Sequence, residues 1–394
     1  MQIDGHHTAT YVAARLAGFT HDEAAKVGYA AQYVDDATNS GVIRFEGSPY
    51  MYARIASAHK MIDYSNLIEV ENHLAWLPFH FLPGNGQLPD GQEPEGGEVA
   101  KLICKPDSHV ARDMLRLAHR DRDSKRGLHR LGIAMHVYAD TFAHQGFVGA
   151  LSIGNQAKSL TTGDATLDKK IQSATKKELF KKLLDDIKAV FQLLVQSIRV
   201  AAYERKSPFK YWMEFMNRNP LGHAAADTYP DQPYLVWQYE DWRGELVKRD
   251  NPATFMQAMH MMVKAMRAWR TGDASMNLEN HSGMDPADAT VVEKLFRDFR
   301  DPDGDIRHGR WLKAISDGAF SFGPAPNLCY VGKGPGSWKE AALGTSRSKD
   351  TGLESFPYTP EFLRSDWKLF HDALQAHRAD VVHEVLPRYG ICAA

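Results

Sequence analysis

One stretch constrains the fold of this chain more than any other: Leu128 to Gly146, LHRLGIAMHVYADTFAHQG. It has no Pro and, after Gly132, no Gly before Gly146, so it reads as one helix bounded by Gly127 and Gly146. At about 100° per residue, His129, His136, Asp140 and His144 fall within roughly 80° of one another. The opposite side carries Leu131, Met135, Tyr138 and Phe142, an apolar stripe that has to be buried. Such a helix belongs inside a mainly α protein, and its imidazole and carboxylate side then needs partners. His-x3-Asp-x3-His repeats the i, i+4 spacing twice, so one divalent cation or a group of them satisfies the whole face. The plainer alternative is a core helix whose histidines face solvent.

Size and charge set outer limits. The 394 residues are 43% apolar and 24% charged, enough to bury a sizeable core. A net charge of −2 argues against nucleic-acid binding by bulk electrostatics, though not against a nuclease whose metals contact the phosphate. Cys104, Cys329 and Cys392 are widely spaced and odd in number, which predicts no disulfide framework and fits a reducing compartment. MQIDGHHTAT lacks a basic region followed by an apolar run, and no apolar run approaches the ~20 residues needed to span a bilayer. The expectation is a chain that is cytoplasmic as synthesised, without stable membrane insertion, with signal-independent export left open. Of the 18 histidines, 11 lie at or before His144, which places the chemistry early in the chain.

Further donors precede and follow the central helix. Asp4, His6 and His7 lead into a helix capped by Thr8 that runs through Tyr11, Val12 and Leu16 to Gly18. In an extended lead-in, Asp4 and His6 point the same way. A second helix over about 22–34, capped by Thr20, ends in Asp35-Asp36. Two carboxylates there oppose the helix macrodipole and need a cation or solvent to offset them. Residues 50–57 and 67–81 are rich in aromatic and branched side chains and predict an antiparallel hairpin or meander, with His80 at its end in PFHFLP. Residues 84–97 read as a surface loop and 108–120 as a helix. After Gly149 the chain reads as mostly helical, with an amphipathic packing helix over 167–200. Asn219-Pro220, Asn251-Pro252 and Asp285-Pro286 are each a cap followed by Pro at the first helical position, and His223 and Asp227 then share a face. Asp301, Asp303 and Asp305 lack the Gly and Glu of a calcium loop and read as a turn. His371, His377 and His383 read as surface residues of one or two terminal helices. The implied organisation is a metal-binding helical core over 1–240, with a β-hairpin insertion around 43–83, and a helical extension over 241–394 packed on it.

The order Asp4/His6, Asp35, His80, His136-x3-Asp140, His144, His223-x3-Asp227 resembles the zinc-dependent phospholipase C and single-strand-specific nuclease superfamily. GIAMHVYADTFAH is similar to that family's His-x3-Asp helix, PFHF to its single His beside aromatics, and LGHAAADT to its closing His-x3-Asp-Thr. The three-residue gap between Asp140 and His144 is similar to heterokaryon-incompatibility-type proteins. The resemblance extends to bacterial proteins with an Asp-x-His start and covers about residues 4–230. It implies a multi-helix bundle with a small antiparallel β insertion, holding two to three zinc ions. One zinc would take Asp35, His80, His136 and Asp140; a second His144, His223 and Asp227; a third His6 and a share of Asp140. In the family a free amino terminus completes the third site. Here no leader is expected to be removed and Met1 is expected to be retained, which leaves Asp4 to stand in for the amine. His6 and His7, and Asp35 and Asp36, remain alternatives. His129 has no counterpart in the family.

The function implied is metal-dependent phosphodiester hydrolysis by a hydroxide generated on zinc, acting on a lipid head group or on nucleic acid, with Asp140, Asp35 and His129 as catalytic candidates. Two other classes remain. One is another helical metallophosphohydrolase, against which His21-Asp22 and His371-Asp372 read as capping or surface pairs. The other is a metal-stapled, toxin-like or binding protein without turnover.

Overall fold

The computed structural model describes residues 1–59, 69–185, 220–347 and 354–393. In chain order, a π-helical turn at Asp4–Ala9 runs into α1 (Thr10–Leu16), followed by α2 (His21–Asp36), β1 (Gly41–Phe45), β2 (Met51–Arg54) and α3 (Glu69–Phe79). Next come α4 (Gly97–Leu102), α5 (His109–His119), α6 (Gly127–Ala143), β3 (Lys158–Thr161) and α7 (Ala165–Asp185). The hairpin β4 (Val236–Glu240) and β5 (Leu246–Asp250) leads into α8 (Asn251–Thr271), α9 (Pro286–Asp298) and α10 (Gly304–Ser316). The chain ends with α11 (Trp338–Leu343), β6 (Ser355–Phe356), α12 (Asp366–Asp380) and α13 (Leu386–Arg388).

The predicted central helix is α6, and both its faces are buried. It is surrounded by α2, α5, α8 and α12, a mostly helical arrangement in which no side of α6 meets water. Leu131, Met135, Tyr138 and Phe142 join a large apolar cluster with α1, α5, α8, α9 and α10. That cluster runs from Met1 to Ala393, and a second one joins α2 and β1 to α12, so the described residues after 241 share their apolar packing with the N-terminal part. The crossing of α2 and α6 depends on Gly132. A Cβ there would lie 2.5 Å from Val27 O and 2.6 Å from the Ala30 Cβ. Glycine lets the two backbones close to that distance, and the site described below hangs on it. Helix α2 begins with a capping box in which Thr20 and Glu23 satisfy each other's backbone donors.

Several expectations change. The 41–54 hairpin forms, with Gly41 paired to Arg54 and Arg44 to Met51, and β6 adds in parallel to β1. The second half of the predicted meander is instead α3, so His80 sits just past a helix end rather than on a strand. Residues 220–231, read as a Pro-capped helix, form two short 3-10 turns. A second sheet, ordered β3-β4-β5, appears in the part expected to be mostly helical. The packing helix reaches Asp185, and its predicted remainder, 186–200, lies outside the described residues. Asp285 and Pro286 open α9 as predicted, whereas α8 is capped by Asp250 rather than Asn251. Asp303 caps α10, in keeping with a turn rather than a calcium loop. His371 and His377 are buried, against expectation, because α12 packs its full inner face on α6; His383 is exposed. Among the described residues no helix is long and apolar enough to cross a membrane, and no disulfide forms.

Candidate metal centre

Asp140 sits at the middle of the buried face of α6, with no exposed surface. Four other segments bring donors to it. The N-terminal turn delivers His6, whose Nε2 lies 3.2 Å from Asp140 Oδ1. The last turn of α2 delivers Asp35. The residue after α3 delivers His80, whose Nδ1 is 3.5 Å from Asp140 Oδ2. His136, one turn earlier on α6, places Nε2 at 3.3 Å from the same oxygen. The 3-10 turns after residue 220 deliver His223 and Asp231, which meet His144: His144 Nε2 is 3.1 Å from Asp231 Oδ1, and His223 Nε2 is 3.3 Å from Asp231 Oδ2.

Three groups of three donors therefore stand together: Asp35, His80 and His136; His6, His136 and Asp140; and His144, His223 and Asp231. The Met1 amine lies between the last two, 2.7 Å from Asp140 Oδ1, 3.2 Å from Asp231 Oδ1 and 3.3 Å from His144 Nε2. Burial alone would depress this amine, but the carboxylates of Asp140, Asp231 and Asp35 outweigh it and push it up to about 11. Burial would likewise raise the Asp140 and Asp231 carboxyls. Neighbouring imidazoles and the amine hold both well below the usual range. Burial lowers the His6 and His144 imidazoles.

The outward-facing nitrogens decide what the inward-facing ones can do. His136 Nδ1 lies 2.8 Å from Ala31 O, His144 Nδ1 2.8 Å from His80 O, His223 Nδ1 2.8 Å from Asp227 O, and His80 Nε2 3.0 Å from Ser57 O. A carbonyl only accepts, so a ring that carries a single proton keeps it on that nitrogen and turns the other, as a lone pair, to the centre. In that form His80 Nδ1 and His136 Nε2, 3.2 Å apart, would oppose two lone pairs, an arrangement that a cation between them relieves. Two nitrogens bound to one tetrahedral Zn²⁺ at ~2.0–2.1 Å would be about 3.3 Å apart. Asp35 Oδ1, at 3.8 Å from His80 Nδ1 and 3.9 Å from His136 Nε2, completes this four-donor set with Asp140 Oδ2. Neither His6 ring nitrogen nor Asp140 Oδ2 has a hydrogen-bond partner among the described residues. The donor set fits a cluster of divalent cations of the borderline, nitrogen-and-oxygen-seeking kind.

The known-protein comparisons give a family and no more. The match to a family of unknown function, DUF6765, runs over residues 1–385. The chain belongs to that family. No curated protein and no solved structure matches it.

The structure decides between the alternatives left open by sequence. His6, not His7, enters the cluster; His7 Nδ1 lies 2.8 Å from His308 Nε2. Asp35 enters rather than Asp36, which accepts from the Tyr330 hydroxyl at 2.6 Å. Asp4 is no stand-in for the amine. Its lead-in is helical rather than extended, so residues two apart face different ways, and its carboxylate pairs with buried Arg307 at 2.6 Å. Asp227 does not join His223. In a 3-10 turn the i, i+4 alignment is lost, and with φ of 56° its carboxylate turns back to the Thr228 N–H at 2.7 Å. Asp231, four residues on, takes that place; sequence spacing carried no signal for it, since no regular period spans YPDQP. His129 lies two turns up α6 from His136, and its Nε2 is bonded to Asp366 at 2.9 Å. It is outside the cluster, and the catalytic assignment moves off it.

Proposed function

We propose that this protein is a divalent-cation-dependent hydrolase of phosphoesters, with its helices arranged in the manner of the phospholipase C and nuclease superfamily that the motifs resemble. The observation that carries the reading is the set of four imidazoles, each with one nitrogen within 3.0 Å of a backbone carbonyl and the other turned to a shared carboxylate. Asp35, His80, His136 and Asp140 would hold one zinc, and His144, His223 and Asp231 a second. His6 and a share of Asp140 would hold a third. A bound zinc ion polarises a phosphoryl oxygen and lowers the pKa of a coordinated water towards ~7.

The chain's own groups divide the remaining work. Asp140 spans two donor groups, Oδ2 facing His80 and His136 and Oδ1 facing His6. The carbonyl-held imidazoles have no proton to release into the site, so they orient and do not act as general acids. Asp35 keeps a third of its side chain exposed, against 1% for Asp140. It marks the solvent side, where a phosphoester and the attacking water would enter. With a net charge of −2 the chain is no general polyanion binder, so the metals themselves would recognise the phosphate of a lipid head group or a nucleic acid.

A second reading, cations that only staple the helices, is favoured by the near-complete burial of His6, His136 and Asp140. One experiment separates the two. Metal per chain is measured after metal-replete purification, and hydrolysis of bis(p-nitrophenyl) phosphate, phosphatidylcholine micelles and single-stranded DNA is followed side by side. At least two zinc ions with turnover of one substrate is expected. Fewer than one ion per chain sinks the metal reading, and full loading without turnover of any substrate favours the staple.

A further inference from the structure

The cation donors differ in what holds them. Asp35, His136 and Asp140 stand on the regular helices α2 and α6. His6 stands on a single π-helical turn and Asp231 on a 3-10 turn, short pieces with poorer hydrogen-bond geometry than an α-helix. Both irregular segments are tied to one side chain, Arg307 of α10, which is 1% exposed.

Arg307 commits its whole fork. Nε donates to Asp4 Oδ2 at 2.6 Å and Nη2 to Asp4 Oδ1 at 3.1 Å, a two-point grip on the turn that carries His6. Nη2 also donates to Gln2 Oε1 at 2.6 Å. Nη1 donates to Gln232 Oε1 at 2.9 Å and to Asp301 O. A guanidinium has five N–H donors, so these five bonds leave none over. The next residue of α10 adds a second tie, with His308 Nε2 2.8 Å from His7 Nδ1. His6 is thus flanked, at positions 4 and 7, by residues joined to α10. On the other side, Gln232 is 1% exposed, its Nε2 donates to Pro302 O at 3.2 Å, and its carbonyl accepts from Asn251 Nδ2 at 2.8 Å. Gln232 follows Asp231 directly, so fixing it limits where the Asp231 carboxylate can point. Lysine could not replace this arginine, because an ammonium is a point charge without the planar fork.

We propose that Arg307 is a positioning residue of the cation cluster. It holds the His6 turn and the Asp231 turn against each other, so the ion of His144, His223 and Asp231 and the ion of His6 both depend on a side chain that coordinates neither. The group of Asp35, His80, His136 and Asp140 has no tie to Arg307 and should be indifferent to it. This role presupposes the proposed cation sites, though not hydrolysis.

The test measures zinc per chain, and zinc affinity by competition with a chromophoric chelator, in the full chain and in two variants. Gln232→Met keeps the side-chain length and the Asp4–Arg307 pair and removes the amide beside Asp231. Arg307→Lys keeps a charge opposite Asp4 and removes the fork. NMR of the imidazoles during the zinc titration tells the ions apart: His80 reports the first, His144 and His223 the second, and His6 the third. In Gln232→Met, the affinity that shifts His144 and His223 should fall at least about tenfold, while that sensed by His80 stays within about twofold of the parent. Arg307→Lys should also weaken the ion sensed by His6. A residue that only stabilises the fold would lower the melting temperature and either spare every ion or weaken all of them alike; either result overturns the proposal. If Arg307→Lys does not fold, Gln232→Met, which retains the ion pair, decides alone. A parent chain holding fewer than one zinc sinks the cation reading and this role with it. A loaded parent whose variants lose no ion selectively sinks this role alone.

Discussion

At the scale of single residues, the sharpest contrast is between two aspartates four positions apart. Asp231 faces His144 and His223, whereas the side chain of Asp227 caps its own turn and only its carbonyl supports His223. Asp231→Asn should remove the second metal and cut hydrolysis by more than the 10–100-fold typical of losing a supporting residue. Asp227→Asn keeps the carbonyl, and Asn tolerates the positive φ, so metal content should stay within error of the parent chain. Metal analysis of the two purified variants decides it; equal loss in both would return the ligand to position 227. Most of the donors could be read from sequence because α6 is regular and carries His136, Asp140 and His144 on one stripe. Asp231 could not be read, because its turn has no period from which a face can be inferred. His129 shows the converse limit. It shares the stripe, but a helix face continues past the site, and Asp366 meets it there.

At the scale of elements, what matters is how closely α2 approaches α6. Ala31 O reaches His136 only because Gly132 has no side chain. Gly132→Val should overpack this crossing, costing about 1–3 kcal/mol. It should also push Ala31 O off His136, so that zinc affinity falls together with stability. Chemical denaturation and competition with a chromophoric chelator measure the two losses, and a stability loss with unchanged zinc affinity would break the link drawn here. The helices were legible where apolar spacing was regular and capping residues stood at the ends, as at Thr20 and Ser108. HLAWLPF was read as strand from its aromatic and branched content, but short runs of that kind suit either state; the segment forms α3 with Pro78 inside its last turn. The 236–250 hairpin was missed although Trp237 and Tyr239 alternate inward. Its short run was absorbed into a region dominated by helical spacing.

At the scale of the whole molecule, a buried ion pair ties the N-terminal turn to α10. Asp4 and Arg307 pair with 2% and 1% of their side chains exposed. Arg307→Leu leaves Asp4 charged and alone and should destabilise the fold by ~3–5 kcal/mol, whereas replacing both partners with apolar residues should recover much of it. Thermal unfolding of the single and double variants tests the difference. Acid should act through His371 and His377, both held neutral by burial. Their folded pKa values lie below the unfolded value of ~6.5, so the unfolded chain takes up more protons as pH falls. Stability is then full above about pH 6.5 and falls below it, by about 1.4 kcal/mol per histidine at pH 5.5. Urea titrations with chelator present, at pH 7.5 and 5.5, should show this drop. A chain equally stable at both would mean these rings are not neutral in the fold.

The spread of the donors along the chain has a consequence for how the protein matures. Asp140 and Asp231 are separated by 91 positions, which take roughly 5–20 s to synthesise at ~5–20 residues per second. Yet α6, which carries His136 and Asp140 and ends at His144, is packed against α8 and α12, both later in the chain than residue 231. On the proposed reading, a nascent chain that has already presented every donor still lacks the walls of the site until residues 251–380 have been made.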